Sequence, residues 1–240
     1  MNRYTRKNLK TDKFAQEVTH GFEWITDHKE ATIRYGSIAA AVIAVVLGSY
    51  LYIRHQATAR ENALAAAVKI DNATVGQANP QAPPDSLNFP TVEAKETARN
   101  KAFADLAAKY PGTQEGSIAE MYLASDAADK GNMAEAEKRY QEVMNSAPKP
   151  YASLARLSLA QTYEAEGRTA DAEKLLREAV KNPSITVSKE DATIQLALLL
   201  AKTNPEEARK MLDPLRTSRT AVSRAAVEAL GQVDQPSTQK

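Results

Sequence analysis

Apolar residues are arranged in three different ways along this chain. From Tyr35 to Ile53 the sequence YGSIAAAVIAVVLGSYLYI runs without a charge, closed by Arg34 and Arg54. At about 1.5 Å per residue a helix of that length reaches about 28 Å, close to the hydrocarbon thickness of a bilayer. Tyr35, Tyr50 and Tyr52 lie at its ends, where amphipathic rings favour the membrane interface. The pattern predicts a transmembrane helix over 35–53, since a soluble helix this apolar would need protein on every side. Ala57-Thr58-Ala59 has the small-x-small form of a signal cleavage site. However, a long tail precedes the apolar run and the run exceeds the usual length for a cleaved signal, so an uncleaved anchor is expected.

The segment before the span, 1–34, has its own period. Phe14, Val18, Phe22 and Ile25 fall at helical steps with Trp24 beside them, predicting an amphipathic helix on the membrane surface. His20 and His28 share that segment without a carboxylate arranged for metal or proton transfer, and read as interfacial polar residues. Residues 1–34 hold seven Lys and Arg against three in an equal length of chain after Ile53, which favours a cytoplasmic amino terminus. Counted only over the stretches nearest the span, the balance is two against three, the opposite sense. Inside the span Gly36, Ala40, Ala44 and Gly48 recur every four residues, a spacing that lets another membrane helix approach closely. Ala and Gly are also frequent in membrane spans generally, so the stripe is either a packing face or simple composition.

After Ile53 the stretch RHQATARENALAAAVKI carries no helix breaker and predicts a helical extension over 54–70. Residues 71–91 then carry Pro80, Pro83, Pro84 and Pro90, a density that breaks helix. They predict a partly extended linker spanning roughly 25 Å as a coil. Asn72-Ala73-Thr74 is a glycosylation triplet in form only. From Val92 the chain repeats itself. Leu123-Ala124 recurs as Leu159-Ala160 and Leu196-Ala197, Gly131 as Gly167, and Ala136 as Ala172 and Ala208. In the third unit Asn204-Pro205 takes the place of the glycine turn. The spacing describes helical hairpins: a small residue on the first helix admits the second, and glycine accepts a left-handed turn between them. Each hairpin leaves an apolar face open, so neighbours must stack. A returning half repeat, ETARNKAFADLAAKYPGT with Phe103, Leu106 and Tyr110-Pro111, precedes the units. A lone helix, AVSRAAVEALGQV, follows to cap them. The fold class expected is all-α: a single transmembrane helix, then a hairpin solenoid over 92–233, with 234–240 frayed.

The strings LASDAADKGNMAEAEKRYQEVMNSAP and LAQTYEAEGRTADAEKLLREAV resemble the tetratricopeptide repeat. The match lies at Leu123, Ala124, Gly131, Ala136, Tyr140 and Pro148 in the first and at Tyr163 in the second. The period is near 36 instead of 34, and Glu120 and Arg156 stand where that family places tryptophan. The resemblance implies a concave groove lined by first helices, here at Met121, Ser125, Leu157, Gln161, Glu164, Ile194 and Leu198. That mixture suits an extended or helical peptide, unless some of these positions serve as core contacts of a twisted hairpin. The charged run Glu135, Glu137, Lys138 and Arg139 reads as a solvated helix face.

Composition narrows the chemistry. Thirty-one basic against 30 acidic residues leave a net charge of +1, which argues against a broad nucleic-acid surface. The absence of cysteine removes thiol catalysis, disulfides and thiolate metal sites, and three histidines give imidazole chemistry little material. Forty-three alanines against nine glycines suit an all-helical chain. No phosphate loop, His-Glu-x-x-His or Gly-x-Ser-x-Gly occurs, so neither an enzyme nor a cofactor, metal or small-molecule substrate is expected. In the order of its parts the chain resembles YfgM-type ancillary subunits of the bacterial SecYEG translocon, although its amino-terminal tail is longer. The resemblance implies a single-pass protein of the inner membrane with periplasmic repeats. Its implied partners are the translocon, a membrane-anchored prolyl-isomerase chaperone and secretory chains. Two other readings stay open: a scaffold for outer-membrane or cell-wall assembly, and a signalling adaptor with cytosolic repeats.

Overall fold

The computed structural model describes residues 29–77, 83, 86–217 and 221–234. The amphipathic positions Phe14, Val18, Phe22 and Ile25, together with His20 and His28, lie outside these residues, as does the segment after Asp234. The first described element, α1 (Lys29–Asp71), carries the apolar run and the extension in one unbroken helix. It begins before Tyr35, because no proline or glycine interrupts residues 29–34. The chain divides into two compact units between Thr58 and Ala59.

In the first unit the apolar part of α1 is uncovered. Ile38, Val42, Val46 and Leu47 are each more than half exposed, as are Tyr50 and Tyr52. These residues lie all round the helix, and its best window has a mean hydropathy of 2.0, so it is long and apolar enough to cross a membrane.

The second unit begins with the last turns of α1 and continues through helices α2 (Val92–Lys109), α3 (Gln114–Asp129), α4 (Met133–Ser146) and α5 (Lys149–Ala165). Helices α6 (Thr169–Lys181), α7 (Lys189–Leu200), α8 (Pro205–Arg216) and α9 (Ala221–Asp234) complete it. From α2 onward each helix packs on the next, and α9 covers α7 as well as α8. The paired small residues meet as their spacing requires: Ala124 with Ala136, Ala160 with Ala172 and Ala197 with Ala208 are all buried in one continuous core. Leu159, Leu196 and Leu212 fill the space between them.

The turns follow from their residues. Gly131 and Gly167 have φ of 78° and 74°. This is the left-handed region, which costs a side-chain-bearing residue about 1 kcal/mol or more. Each turn closes with a pair of bonds on the preceding helix: Asn132 N–H to the Ala127 carbonyl and Gly131 N–H to that of Ala128 in one, Arg168 to Tyr163 and Gly167 to Glu164 in the other. In the third hairpin Asn204 does this differently: its side chain accepts from the Glu207 N–H, and Pro205 opens α8 where no N–H is needed.

Two features go beyond the sequence expectation. The helical extension packs against the helices that follow it. Ala63, Leu64, Ala67 and Val68 pack with Phe103, Leu106 and Ala107 of α2 and Ala119 of α3, and Phe103 is fully buried. Arg99 of α2 is held between Asp71 and Asp126, and Arg60 meets Glu115 at 3.2 Å. The half repeat is therefore completed by the end of α1. Burying one phenylalanine contributes roughly 1.5–3 kcal/mol to this hairpin. The 71–91 linker also closes at its base. Strand β1 (Thr74–Val75) pairs in parallel with β2 (Asn88–Phe89), in the register Thr74 to Asn88 and Val75 to Phe89. Side chains reinforce the pairing, with the Thr74 hydroxyl bonded to Asn88 Oδ1 at 2.8 Å and Asn88 Nδ2 donating to the Gly76 carbonyl at 2.7 Å. Polar backbone left bare by the prolines finds partners this way without rebuilding a helix.

Candidate functional site

The three first helices, α3, α5 and α7, present equivalent positions one repeat apart. Met121, Leu157 and Ile194 form one rank; Ser125, Gln161 and Leu198 form the next, with Glu164 one turn beyond Gln161. The first rank turns inward. Met121 and Leu157 are half-buried against the main core, while Ile194 is 8 % exposed and belongs to that core. Ile194 is thus a packing residue, and its place in an expected groove is corrected. Helix α7, which carries it, packs against α6, α8 and α9. The second rank stays open at Ser125 and Gln161, as does Glu164, whereas Leu198 is half-buried.

Behind the open rank lies a residue that repeat spacing identifies only as core. Tyr140 comes from α4 and is buried, with its hydroxyl near Ser158 and Ser125 on the first-helix face. Burial raises its ionisation above the ordinary phenol value. Ser125, Ser158 and the Tyr140 hydroxyl make a polar seam between α3 and α5, with Asp129 near enough to act on the tyrosine. Further along α3 the half-exposed Tyr122 ring stacks on Phe103, with centroids 4.4 Å apart and planes within 9°.

The second helices carry a different chemistry. Glu137 of α4 accepts from the Tyr163 hydroxyl and from Arg168 Nη1, each at 2.7 Å, and the guanidinium lies 3.9 Å from the Tyr163 ring centroid. The hydrogen bond from Arg168, then that from Tyr163, holds the Glu137 carboxyl below its usual range. Arg139 joins Glu120 of α3 at 2.7 Å and Glu135 at 2.8 Å. Arg177 of α6 bridges to Glu207 of α8 at 2.8 Å, and Arg209 of α8 to Asp234 of α9 at 2.7 Å. The run Glu135 to Arg139 is therefore not simply a solvated face. Lys138 is exposed, but Glu135, Glu137 and Arg139 are half-buried in ion pairs, and two of these couple neighbouring elements. Arg156, at the position where the repeat family places tryptophan, reaches Glu178 at 3.2 Å through its terminal nitrogen.

Among the described residues no group of three or more His, Cys, Asp or Glu stands close enough to hold a metal ion. Between the α2–α3 loop and α4 there is a slot of about 20 Å³, lined by Gly112, Gly116, Ser117, Glu120 and Ser146. It has space for a single water. The first-helix face is broad and shallow by comparison, and suits a macromolecular surface better than a small molecule. In the apolar part of α1, Gly36, Ala40, Ala44 and Gly48 share a face by their spacing. A methyl group added at Gly36 or Gly48 would meet nothing within 4 Å. Among the described residues nothing packs at those two glycines.

The tetratricopeptide-repeat family matches residues 117–182, from the first turn of α3 to the end of α6. No curated protein and no solved structure matches the chain. The chain contains tetratricopeptide repeats, and arrays of this kind are scaffolds for protein–protein interaction.

Proposed function

We propose that this chain is a membrane-anchored scaffold of the bacterial envelope, holding its repeats in the periplasm beside the Sec translocon while exported proteins emerge. The observation that carries the reading is the pairing, on one chain, of an uncovered apolar helix with a repeat array whose first-helix face is open. The excess of Lys and Arg in residues 1–34 supports a cytoplasmic amino terminus. The resemblance in order of parts to YfgM-type translocon subunits supports the partners: the translocon, a membrane-anchored prolyl-isomerase chaperone and secretory chains. In this reading Gly36, Ala40, Ala44 and Gly48 receive a partner's membrane helix. Ser125, Gln161 and Glu164, with the Tyr140 and Ser158 hydroxyls behind them, hold peptide main chain through hydrogen bonds.

Photo-crosslinking in native membranes tests this, with one probe at Ala44 and another at Gln161. Adducts from Ala44 to translocon or chaperone subunits, and from Gln161 to secretory chains, are expected. Adducts confined to an outer-membrane or cell-wall assembly factor would keep the scaffold and replace its assignment. Alkaline phosphatase fused after Lys240 is expected to be active, and an inactive fusion would put the repeats in the cytosol and refute the envelope reading.

A further inference from the structure

One edge of the repeat unit is built differently from the other. The loops that join successive hairpins follow each other along it in direct contact. Arg60, one residue into the unit, bonds Glu115 in the first turn of α3. A side-chain carbon on Gly112, in the α2–α3 loop, would stand 3.3 Å from the Ser146 carbonyl at the end of α4. Four residues on, the Pro150 carbonyl accepts from the Thr186 hydroxyl of the α6–α7 loop at 2.7 Å. The start of the unit, where the chain arrives from the apolar run, and the loop at Thr186 therefore share an edge.

On this edge stands the most exposed large apolar side chain among the described residues. Ile185 is 92 % exposed, more than any residue of the apolar run itself. Its exposure is imposed by the loop. Ser184 N–H donates to the Val187 carbonyl at 2.9 Å, the Val187 N–H returns to the Ser184 hydroxyl at 3.1 Å, and Val187 is buried. With Ser184 and Val187 locked together and Thr186 tied to Pro150, the residue between them is held outward. Lys149 and Pro150 flank it in one open depression. Lys181 ends α6 and Lys189 opens α7 on either side of the loop.

None of these three lysines makes an ion pair among the described residues. Of the acids nearby, Glu178 pairs with Arg156, while Glu190 and Asp191 in the first turn of α7 keep their charge, Asp191 accepting from the Ser188 hydroxyl, so the three lysines face two free carboxylates among the described residues. The opposite edge, with the turns inside the hairpins, carries Asp129, Glu164 and Glu206 without a cation among the described residues, against one lysine outside any ion pair, Lys202. An apolar knob among unpaired lysines is complementary to an anionic lipid surface, which offers phosphates at its face and hydrocarbon just below.

Chain connectivity puts such a surface within reach. The stretch from Ile53 to Ala59 covers at most about 20 Å even when fully extended. We infer that the inter-hairpin edge rests on the anionic lipid of the membrane that α1 spans, with Ile185 entering the headgroup boundary and Lys149, Lys181 and Lys189 meeting lipid phosphates. This inference depends on the membrane anchoring proposed above. One side chain and three lysines form a weak site in free solution, but a short tether raises its effective concentration and makes weak docking sufficient.

The absence of cysteine supplies the test. The full chain is reconstituted in nanodiscs of phosphatidylcholine, with or without phosphatidylglycerol. A single environment-sensitive nitrobenzoxadiazole label is attached through Asn182→Cys on this edge, Asn132→Cys on the opposite edge, or Val46→Cys in the apolar run. The Val46 label reports lipid in both kinds of disc if the chain is anchored; if it does not, the anchoring reading fails first. With anchoring established, the Asn182 label shifts to the blue only in discs holding phosphatidylglycerol, and the Asn132 label does not shift. The shift is abolished by Ile185→Ser, by reversing the three lysines to glutamate, and by salt high enough to screen exposed charges. No shift at Asn182, or an equal shift at Asn132, overturns the inference. So does a shift that appears only when an acidic membrane-protein fraction is added, because the edge would then dock on protein.

Discussion

Gly116 sits in the first turn of α3, where a sequence-based argument and the structure predict opposite effects of replacing it with alanine. In a helix interior alanine is favoured over glycine by up to about 1 kcal/mol, so Gly116→Ala considered locally should stabilise the array. The structure opposes this. A side-chain carbon there would stand 2.0 Å from the Tyr110 carbonyl oxygen and 2.9 Å from its carbon. That carbonyl cannot swing aside freely, because it accepts from the Thr113 hydroxyl at 2.8 Å and from the Thr113 N–H at 3.3 Å. Thr113 in turn caps α3 by accepting from the Gly116 N–H. Forcing an atom into a packed site costs about 1–3 kcal/mol, and rigid backbone puts this case toward the upper end. The net loss is about 1–2 kcal/mol, or roughly 3–6 °C in melting temperature for a unit of this size. Because repeat arrays need not melt as one, circular-dichroism melting is paired with hydrogen exchange, and protection is expected to fall first in α2 and α3. Gly48→Ala is the control, since nothing lies near the added carbon. A Gly116→Ala chain that melts at or above the unsubstituted protein, with unchanged exchange in α2 and α3, would refute the reasoning.

Other expectations concern the core, the face and pH. Phe103→Ala removes the buried ring that joins α1, α2 and α3. It costs about 3–5 kcal/mol and releases residues 59–71 to fast hydrogen exchange; exchange unchanged there would show that the extension does not depend on α2. Ile194→Ser lowers thermal stability by about 2 kcal/mol or more, while Gln161→Ala leaves it within about 0.5 kcal/mol. Equal effects in thermal melts would contradict their assignment to core and open face. Glu137 has its folded-state pKa depressed by Arg168 and Tyr163, so its contribution is present above its usual value of 4.5 and is lost as pH falls through the lower folded value. Glu137→Gln should therefore reduce stability at pH 7 and flatten the acid limb below about pH 4.5. Parallel acid unfolding profiles for the two chains would remove Glu137 from that limb.

What the sequence determined by itself is what short-range spacing carries. An uncharged run as long as Tyr35 to Ile53 makes a helix long and apolar enough to cross a membrane. The Leu-Ala pairs and the returning alanines had to meet, because only small residues let two hairpin helices approach, and the glycines between them had to turn left-handed. Ser125, Gln161 and Glu164, which the tetratricopeptide resemblance places on the first-helix face, are exposed there. Ile194 has the same period and is nevertheless core, in the cluster that also holds Ala226, Ala229 and Val233 of α9. Glu137 and Arg139 look like any charged stretch until Arg168 and Glu120 are brought against them from other elements. The sequence marks 54–70 only as helix, and its packing on Phe103 through Ala67 appears only in the fold. Ile185 is an ordinary loop residue until Pro150 and Val187 hold the loop outward on the same edge as Arg60. Periodicity records which face of a helix is apolar, but which neighbour covers that face, and which charge it carries there, depends on packing between residues far apart in sequence and is decided only when the hairpins stack.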